Sequence, residues 1–227
     1  MNDKKIKNII IIILIPLCIA LGVIIFKDRK YNLISMIIAI LSCIPIFLTF
    51  EKGETSTRRI VIIAVMIAIS VAGRVAFTAL QGFKPVAAIV IITAIYLGAE
   101  AGFLTGSMSA IISNIYFGQG PWTPCQMFSW GMIGFIAGLP FMQKLLLKNR
   151  VVLSIYGIFS GIIFSLIMDI WTTLSIDGIY NMKRYMAAVA TSFPFMAIYA
   201  ISNVVFLMLA LKPFGEKLER IKIKYGI

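Results

Sequence analysis

The sequence predicts an all-α, polytopic membrane protein, and three observations carry that reading. Of its 227 residues 60% are hydrophobic, the mean hydropathy is +0.99, and only 13% of residues are charged. A soluble domain, in which about a quarter of residues are charged, cannot hide so much apolar surface. Apolar runs near the roughly 20 residues that cross a hydrocarbon core recur along the whole chain, bounded by charges, Gly or Pro.

Those runs predict eight spans. Asn8 to Phe26 and Leu33 to Phe50 form an N-terminal hairpin, and the charged stretch Glu51 to Arg59 separates it from the remaining spans. Ile60 to Leu80, Pro85 to Ala99, Ala101 to Phe117, Gln126 to Met142, Val151 to Thr172 and Tyr185 to Leu211 complete the set. The break at Gly98-Ala99-Glu100-Ala101-Gly102 reads as a tight turn between two helices, because Gly and a lone Glu suit an interface better than a bilayer midplane. The chain thus divides into a hairpin and linker over 1–57, a six-helix core over 58–212 and a basic tail over 213–227. Ala20-Leu21-Gly22 loosely fits a signal-cleavage pattern, but apolar residues continue to Phe26 and a second span comes directly after, so the first span reads as an uncleaved helix.

Charge sets the orientation. With the N-terminus in the cytoplasm, 14 of the 21 Lys and Arg lie inside, six lie outside, and Arg74 is embedded. The excess of basic loops on one side predicts that both termini are cytoplasmic. The net charge of +12 arises from the same asymmetry and from attraction to anionic lipid, and gives no reason to invoke nucleic acid.

Catalysis finds little support. The chain has no His, which removes imidazole acid/base chemistry and the commonest metal ligand. Cys18, Cys43 and Cys125 have neither disulfide nor metal-ligand spacing. An intramembrane aspartyl enzyme needs two facing carboxylates, yet Asp169 is the one good candidate; Asp177 falls in a loop and Glu100 at the opposite membrane surface. No catalytic residue, metal or cofactor is expected.

The helix from Ile60 is two-sided. Ala64, Ala68, Ala72 and Ala76 recur every four residues, a stripe where another helix can approach closely, within this chain or from a partner. Arg74, Phe77 and Gln81 lie on a different face, since Arg74 is turned about 200° from Ala72 at 100° per residue. Counting residues from Arg59 places Arg74 in the outer part of the bilayer. An embedded Arg is costly enough to suggest a role, with snorkelling or an ion pair to Asp169, at comparable depth, as the plainer readings.

The connection Phe117-Gly118-Gln119-Gly120-Pro121-Trp122-Thr123-Pro124-Cys125-Gln126 is uncharged and unlike a mere connector. Two Pro restrict the backbone, Gly permits close approach, and Trp122 with two Gln and a Thr offers an aromatic face beside hydrogen-bonding groups. That set suits a polar, weakly charged organic molecule bearing amides and hydroxyls. A rigid turn with Trp122 as an interfacial anchor is the alternative.

These residues carry a resemblance. Arg58 to Phe141, through Arg74-Val75-Ala76-Phe77, Phe83-Lys84-Pro85-Val86, Ser113-Asn114 and above all Phe117 to Pro124, resembles the substrate-binding S-component of an energy-coupling factor vitamin transporter, and is most similar to the cobalamin-type branch. The later helices fit the six-helix pattern with less distinctive residues, and the first two spans have no place in it. The resemblance implies a subunit that captures a vitamin from outside, then associates with a transmembrane coupling protein and two cytoplasmic ATPases in a bacterial cell membrane. It implies that Arg74, Phe77, Gln81, Lys84, Asn114, Gln119, Trp122, Thr123, Gln126 and Asp169 contact the cargo, and that Ala64, Ala68 and Ala72 are the docking stripe. No phosphate-binding Gly-rich loop with Lys and Ser/Thr occurs, so ATP hydrolysis falls to partners. Another vitamin or a modified-nucleobase precursor is the alternative cargo. A self-sufficient carrier lacks an evident ion-coupling route, and a membrane enzyme or sensor lacks a catalytic constellation.

Overall fold

The computed structural model describes residues 3–26, 57–177 and 181–225, with positions 37, 40, 41 and 44. Every regular element among these residues is helical. Helices α1 (Asp3–Ile9) and α2 (Ile15–Phe26) are joined through a π-helical stretch, Ile10–Leu14. Then come α3 (Thr57–Ala76), α4 (Val86–Leu97), α5 (Ala99–Phe117), α6 (Thr123–Ala137), α7 (Pro140–Lys148), α8 (Arg150–Asp177) and α9 (Met182–Tyr225). The expected second span, Leu33 to Phe50, falls almost wholly outside the described residues.

Helix α4 is the centre of the bundle. Of its 12 residues all but Tyr96 are buried, and α3, α5, α6, α7, α8 and α9 all contact it. Its uniformly apolar sequence, VAAIVIITAIYL, has no polar face to present, so it is stable only when wrapped on all sides. At 1.5 Å per residue it is about 18 Å long, too short to cross a hydrocarbon core. Gly98 ends it with φ 92, a left-handed value that a residue with a Cβ reaches only at a cost, and α5 begins at once. The predicted turn at 98–102 is thus a one-residue break.

Length and apolarity mark three helices as able to cross a membrane, Thr57–Ala76, Arg150–Ile176 and Met182–Tyr225. Helices α6 and α7, bent by 76° to one another, make a fourth if taken as one span. The sequence reading of eight counted every apolar run. Several of those runs are apolar because they pack inside protein, as α4 does, and α5 mixes Ser, Thr and Asn into its buried face. Here too α7 departs from expectation: residues read as the end of a span and a basic loop form a separate short helix with only Leu146 buried.

Close backbone contact holds α5 to α6. A Cβ at Gly102 would lie 2.6 Å from the Gly134 carbonyl oxygen, so the two helices meet backbone to backbone at that crossing. Small residues permit such an approach in membranes, where packing rather than the hydrophobic effect drives helix association. The N-terminal rod joins this core as well: Ile11 and Ile15 are fully buried in it, and Lys7 pairs with Glu100 at 3.2 Å. Cys18 and Cys125 are both free thiols.

A cleft at the Arg74 end of the bundle as candidate binding site

Two faces of α3 are resolved as its periodicity predicts. Ile63, Ile67, Ser70 and Arg74 are buried, whereas Ala64, Ala68, Ala72 and Ala76 are exposed. The inward stripe packs on α4 and α5 and carries Arg74 to the end of the bundle where the 77–85 turn, the C-terminus of α5 and the N-terminus of α6 converge. No described element covers the alanines.

Arg74 is 8% exposed and is held by side chains rather than by an acid. Its Nη1 donates to Asn114 Oδ1 at 2.7 Å and to the hydroxyl of Ser113. Its guanidinium lies 4.5 Å from the Phe117 ring centre and 5.1 Å from that of Trp130, within cation–π range. The anticipated ion pair with Asp169 does not form. Asp169 Oδ2 instead accepts from Ser192 Oγ at 2.6 Å, joining α8 to α9. Hydroxyls and an amide sit close enough to satisfy each charged group locally, and neither needs to reach the other.

Asn114 links this Arg to the uncharged connection. Its Nδ2 donates to Thr123 Oγ1 and to Gln126 Oε1, both at 2.9 Å. Thr123 Oγ1 donates in turn to Gln119 Oε1 at 3.1 Å, and Gln119 Nε2 donates to the Ile111 carbonyl at 2.7 Å. A chain of polar contacts therefore runs from α3 across α5 into the loop and the first turn of α6. Each buried polar member has a partner, as an apolar setting requires.

A cleft of about 510 Å³, its open mouth included, lies beside this chain. Arg74, Lys84 and Gln126, three of the residues that the sequence reading named, line it. Lys84 Nζ stands 4.5 Å from the Phe117 ring centre, and its backbone is tied to Ser202 by hydrogen bonds of 2.9 and 3.0 Å. Burial, with the charge of Arg74 second, holds the Lys84 ammonium below the ordinary lysine range. The lining residues include two cations and no carboxylate.

Sequence reasoning missed much of the wall. Trp130, Phe164, Tyr199 and Asn203 all line the cleft. Trp130 and Phe164 stack almost parallel, 5.3 Å apart and inclined by 8°, and Tyr199 meets Phe164 edge-on at 5.3 Å. Helical spacing was the available signal: Trp130 comes four residues after Gln126, and Asn203 four after Tyr199, so each pair shares a face.

Other anticipated residues lie elsewhere. Phe77 packs with Phe83 and Phe206, centroids 6.3 and 5.0 Å away, and Gln81 is exposed; neither lines the cleft. Trp122 folds over Gly120, where any side chain would strike the indole, and meets Trp171 edge-on at 5.8 Å. Asn114, Gln119, Thr123 and Asp169 stand behind the wall rather than in it.

A helical membrane bundle with an aromatic, cationic cleft at the head of its helices has the form of a transporter's substrate-binding subunit. The model of one family, described as the ECF-type riboflavin transporter, S component, matches residues 54–219, and the chain belongs to that family. It is a family of transporter subunits and not of enzymes. No curated protein and no solved structure matches the chain.

Proposed function

We propose that the chain is the substrate-binding subunit of an energy-coupling factor transporter and that it takes up a vitamin of riboflavin's chemical kind. The observation that carries this reading is the cleft itself, in which Arg74 and Lys84 stand beside the parallel Trp130–Phe164 pair with no carboxylate among the lining residues. An isoalloxazine ring presents a flat face for stacking and a carbonyl-rich edge for cationic and amide donors, and its hydroxylated chain suits Gln126 and Asn203. The cleft is modest, its volume of about 510 Å³ counting the open mouth, and it favours a small flat ring over a bulky macrocycle. A corrinoid is several times the mass of a flavin, so cobalamin becomes the second cargo candidate.

In this reading Arg74, Lys84 and Gln126 contact the cargo, and Asn114, Thr123 and Gln119 position them. Trp122 stiffens the loop, Phe77 and Gln81 shape the rim, and Asp169 joins α8 to α9 behind the wall through Ser192. Ala64, Ala68 and Ala72 form the face that meets the transmembrane coupling protein, and two cytoplasmic ATPases supply the energy. The cleft opens to the outside of a bacterial cell membrane, and both termini are cytoplasmic, as the distribution of Lys and Arg favours.

Isothermal titration of the purified chain with a panel of vitamins tests the reading. Saturable binding of riboflavin, with none of cobalamin, is the expected result. Binding of neither, or of a compact anion alone, would overturn it.

A further inference from the structure

Two side-chain amides, those of Gln126 and Asn203, line the cleft, and their partners fix which end of each is left for a cargo. The two ends of an amide are alike in shape, so what each end touches decides which is nitrogen and which is oxygen. On the α6 wall Arg74 sets the order, because a guanidinium can only donate. The Asn114 atom 2.7 Å from its Nη1 must therefore be Oδ1, and Nδ2 is what meets Thr123 and Gln126 at 2.9 Å. Nδ2 in turn needs an acceptor, so Gln126 gives it Oε1. The N–H groups of Gln126 Nε2 are then left over, with no acceptor among the described residues.

The α9 wall has the opposite sense. Asn203 is 5% exposed, and its amide meets the carbonyl of Gly157 on α8 at 3.1 Å. A carbonyl can only accept, so the end that meets it is Nδ2 and the free end is Oδ1. Among the described residues nothing donates to that oxygen. Nor is it sealed away: the enclosed side-chain atoms without a partner among the described residues are Ser70 Oγ, Ser109 Oγ and Trp171 Nε1. Asn203 lines the cleft, and the little surface it keeps lies there.

This acceptor is held in place. Where α8 and α9 cross, a Cβ at Gly161 would lie 2.6 Å from the Ala200 nitrogen, so the two backbones touch one turn from Asn203. The adjoining Ser202 hydroxyl accepts from the Lys84 N–H at 2.9 Å and donates to the Lys84 carbonyl at 3.0 Å, which ties this part of α9 to the 77–85 turn. Turning the amide over would set Oδ1 against the Gly157 carbonyl and leave both oxygens without a donor.

We infer that Asn203 is a specificity-determining residue of the cleft: its Oδ1 requires an N–H or O–H from the cargo, while Arg74, Lys84 and Gln126 Nε2 require acceptors. This requirement rests on the vitamin reading of the cleft and narrows it. Two cations alone would suit any compact anion. A carboxylate or a phosphate dianion has no hydrogen to give, however, and would leave Oδ1 desolvated and unpaired. A flavin offers such a hydrogen from two sources, the ring N–H between its two carbonyls and the hydroxyls of its side chain.

Titrations of the natural chain and of Asn203→Leu with riboflavin, 3-methylriboflavin and lumiflavin test the requirement. The first analogue lacks the ring N–H, and the second keeps it but carries a methyl group in place of the hydroxylated chain. The natural chain is expected to bind at least one analogue roughly tenfold more weakly than riboflavin, the usual effect of a buried acceptor left unpaired. Leucine has nearly the shape of asparagine and no acceptor. Asn203→Leu is therefore expected to weaken riboflavin by roughly tenfold and to leave one analogue within about twofold, and that analogue identifies the donor. A merely structural role would weaken all three flavins alike. That outcome, equal affinity of the natural chain for all three, or an Asn203→Leu chain that binds riboflavin as tightly as the natural one, would overturn the requirement and leave the vitamin reading standing. If Asn203→Leu does not fold, the natural chain decides: a loss with either analogue supports the requirement and equal affinity overturns it. No binding of riboflavin by the natural chain would remove the vitamin reading and this requirement together.

Discussion

Arg74 Nη1 and Asn114 Oδ1, 2.7 Å apart, join the helix that carries the exposed alanines to the helix that leads into the Gly- and Pro-rich loop. This hydrogen bond makes one unit of the alanine-bearing helix, the cleft and the loop. A charged group bonded inside an apolar bundle contributes more than a neutral one, and its loss leaves buried partners unsatisfied.

Arg74→Lys is therefore not conservative. A lysine offers a point charge on a flexible stem and cannot reproduce a planar group lying within reach of both the Phe117 and Trp130 rings while it also donates to Ser113 and Asn114. The expected loss is about 1–3 kcal/mol of stability, the usual result of leaving buried polar groups unpaired. Thermal unfolding in detergent reads it, together with a fall in vitamin affinity; a variant as stable and as tight as the natural chain would contradict the network.

The alanine stripe makes a second prediction. Ala68→Trp should block vitamin uptake by cells while the isolated subunit binds its vitamin normally, because Ala68 is exposed and remote from the cleft. Co-purification of the variant with the coupling protein locates the defect. Normal uptake would show that the stripe is not the docking face.

Trp122 separates loop stiffness from contact with cargo. Its indole packs on Gly120 and Trp171 rather than into the cleft, so Trp122→Ala should lower the melting temperature and leave affinity within about threefold, less than 1 kcal/mol. Paired melting curves and titrations check this.

Removing the N-terminal rod should act on stability alone. Deletion of residues 1–50 exposes the core surface that Ile11 and Ile15 cover and frees Glu100 from Lys7, yet touches no cleft residue. Burial of two such side chains stabilises by roughly 3–6 kcal/mol at most in water and less against lipid, so the truncation should melt earlier and bind its vitamin unchanged.

What the sequence made legible was whatever a single helix or loop encodes. The two faces of α3, the break at Gly98 and the uncharged loop all come from local spacing and turn chemistry, and Arg74, Lys84 and Gln126 were found because they sit in or beside those segments. Trp130, Phe164, Tyr199 and Asn203 were not. They lie inside long apolar runs on three helices and become one wall only when α6, α8 and α9 pack, a fact that no window of sequence contains. The span count has a related root: α4 is as apolar as a membrane span and is also packed by helices on every side, and composition alone does not separate the two. The Arg74 and Asp169 pair was inferred from depth alone, and depth does not say which side of a helix has a nearer hydroxyl.

The central claim is that the cleft beside Arg74 holds the vitamin, and quenching of riboflavin fluorescence by the purified chain tests it most directly. Trp130 both lines that cleft and stacks on Phe164, 5.3 Å away, so it is the aromatic wall against which a flat ring would lie. Truncating such an anchor costs about 2 kcal/mol or more, so Trp130→Ala should weaken riboflavin binding roughly 30-fold while the folded fraction is retained. An affinity for Trp130→Ala equal to that of the natural chain would place the vitamin elsewhere and contradict the account.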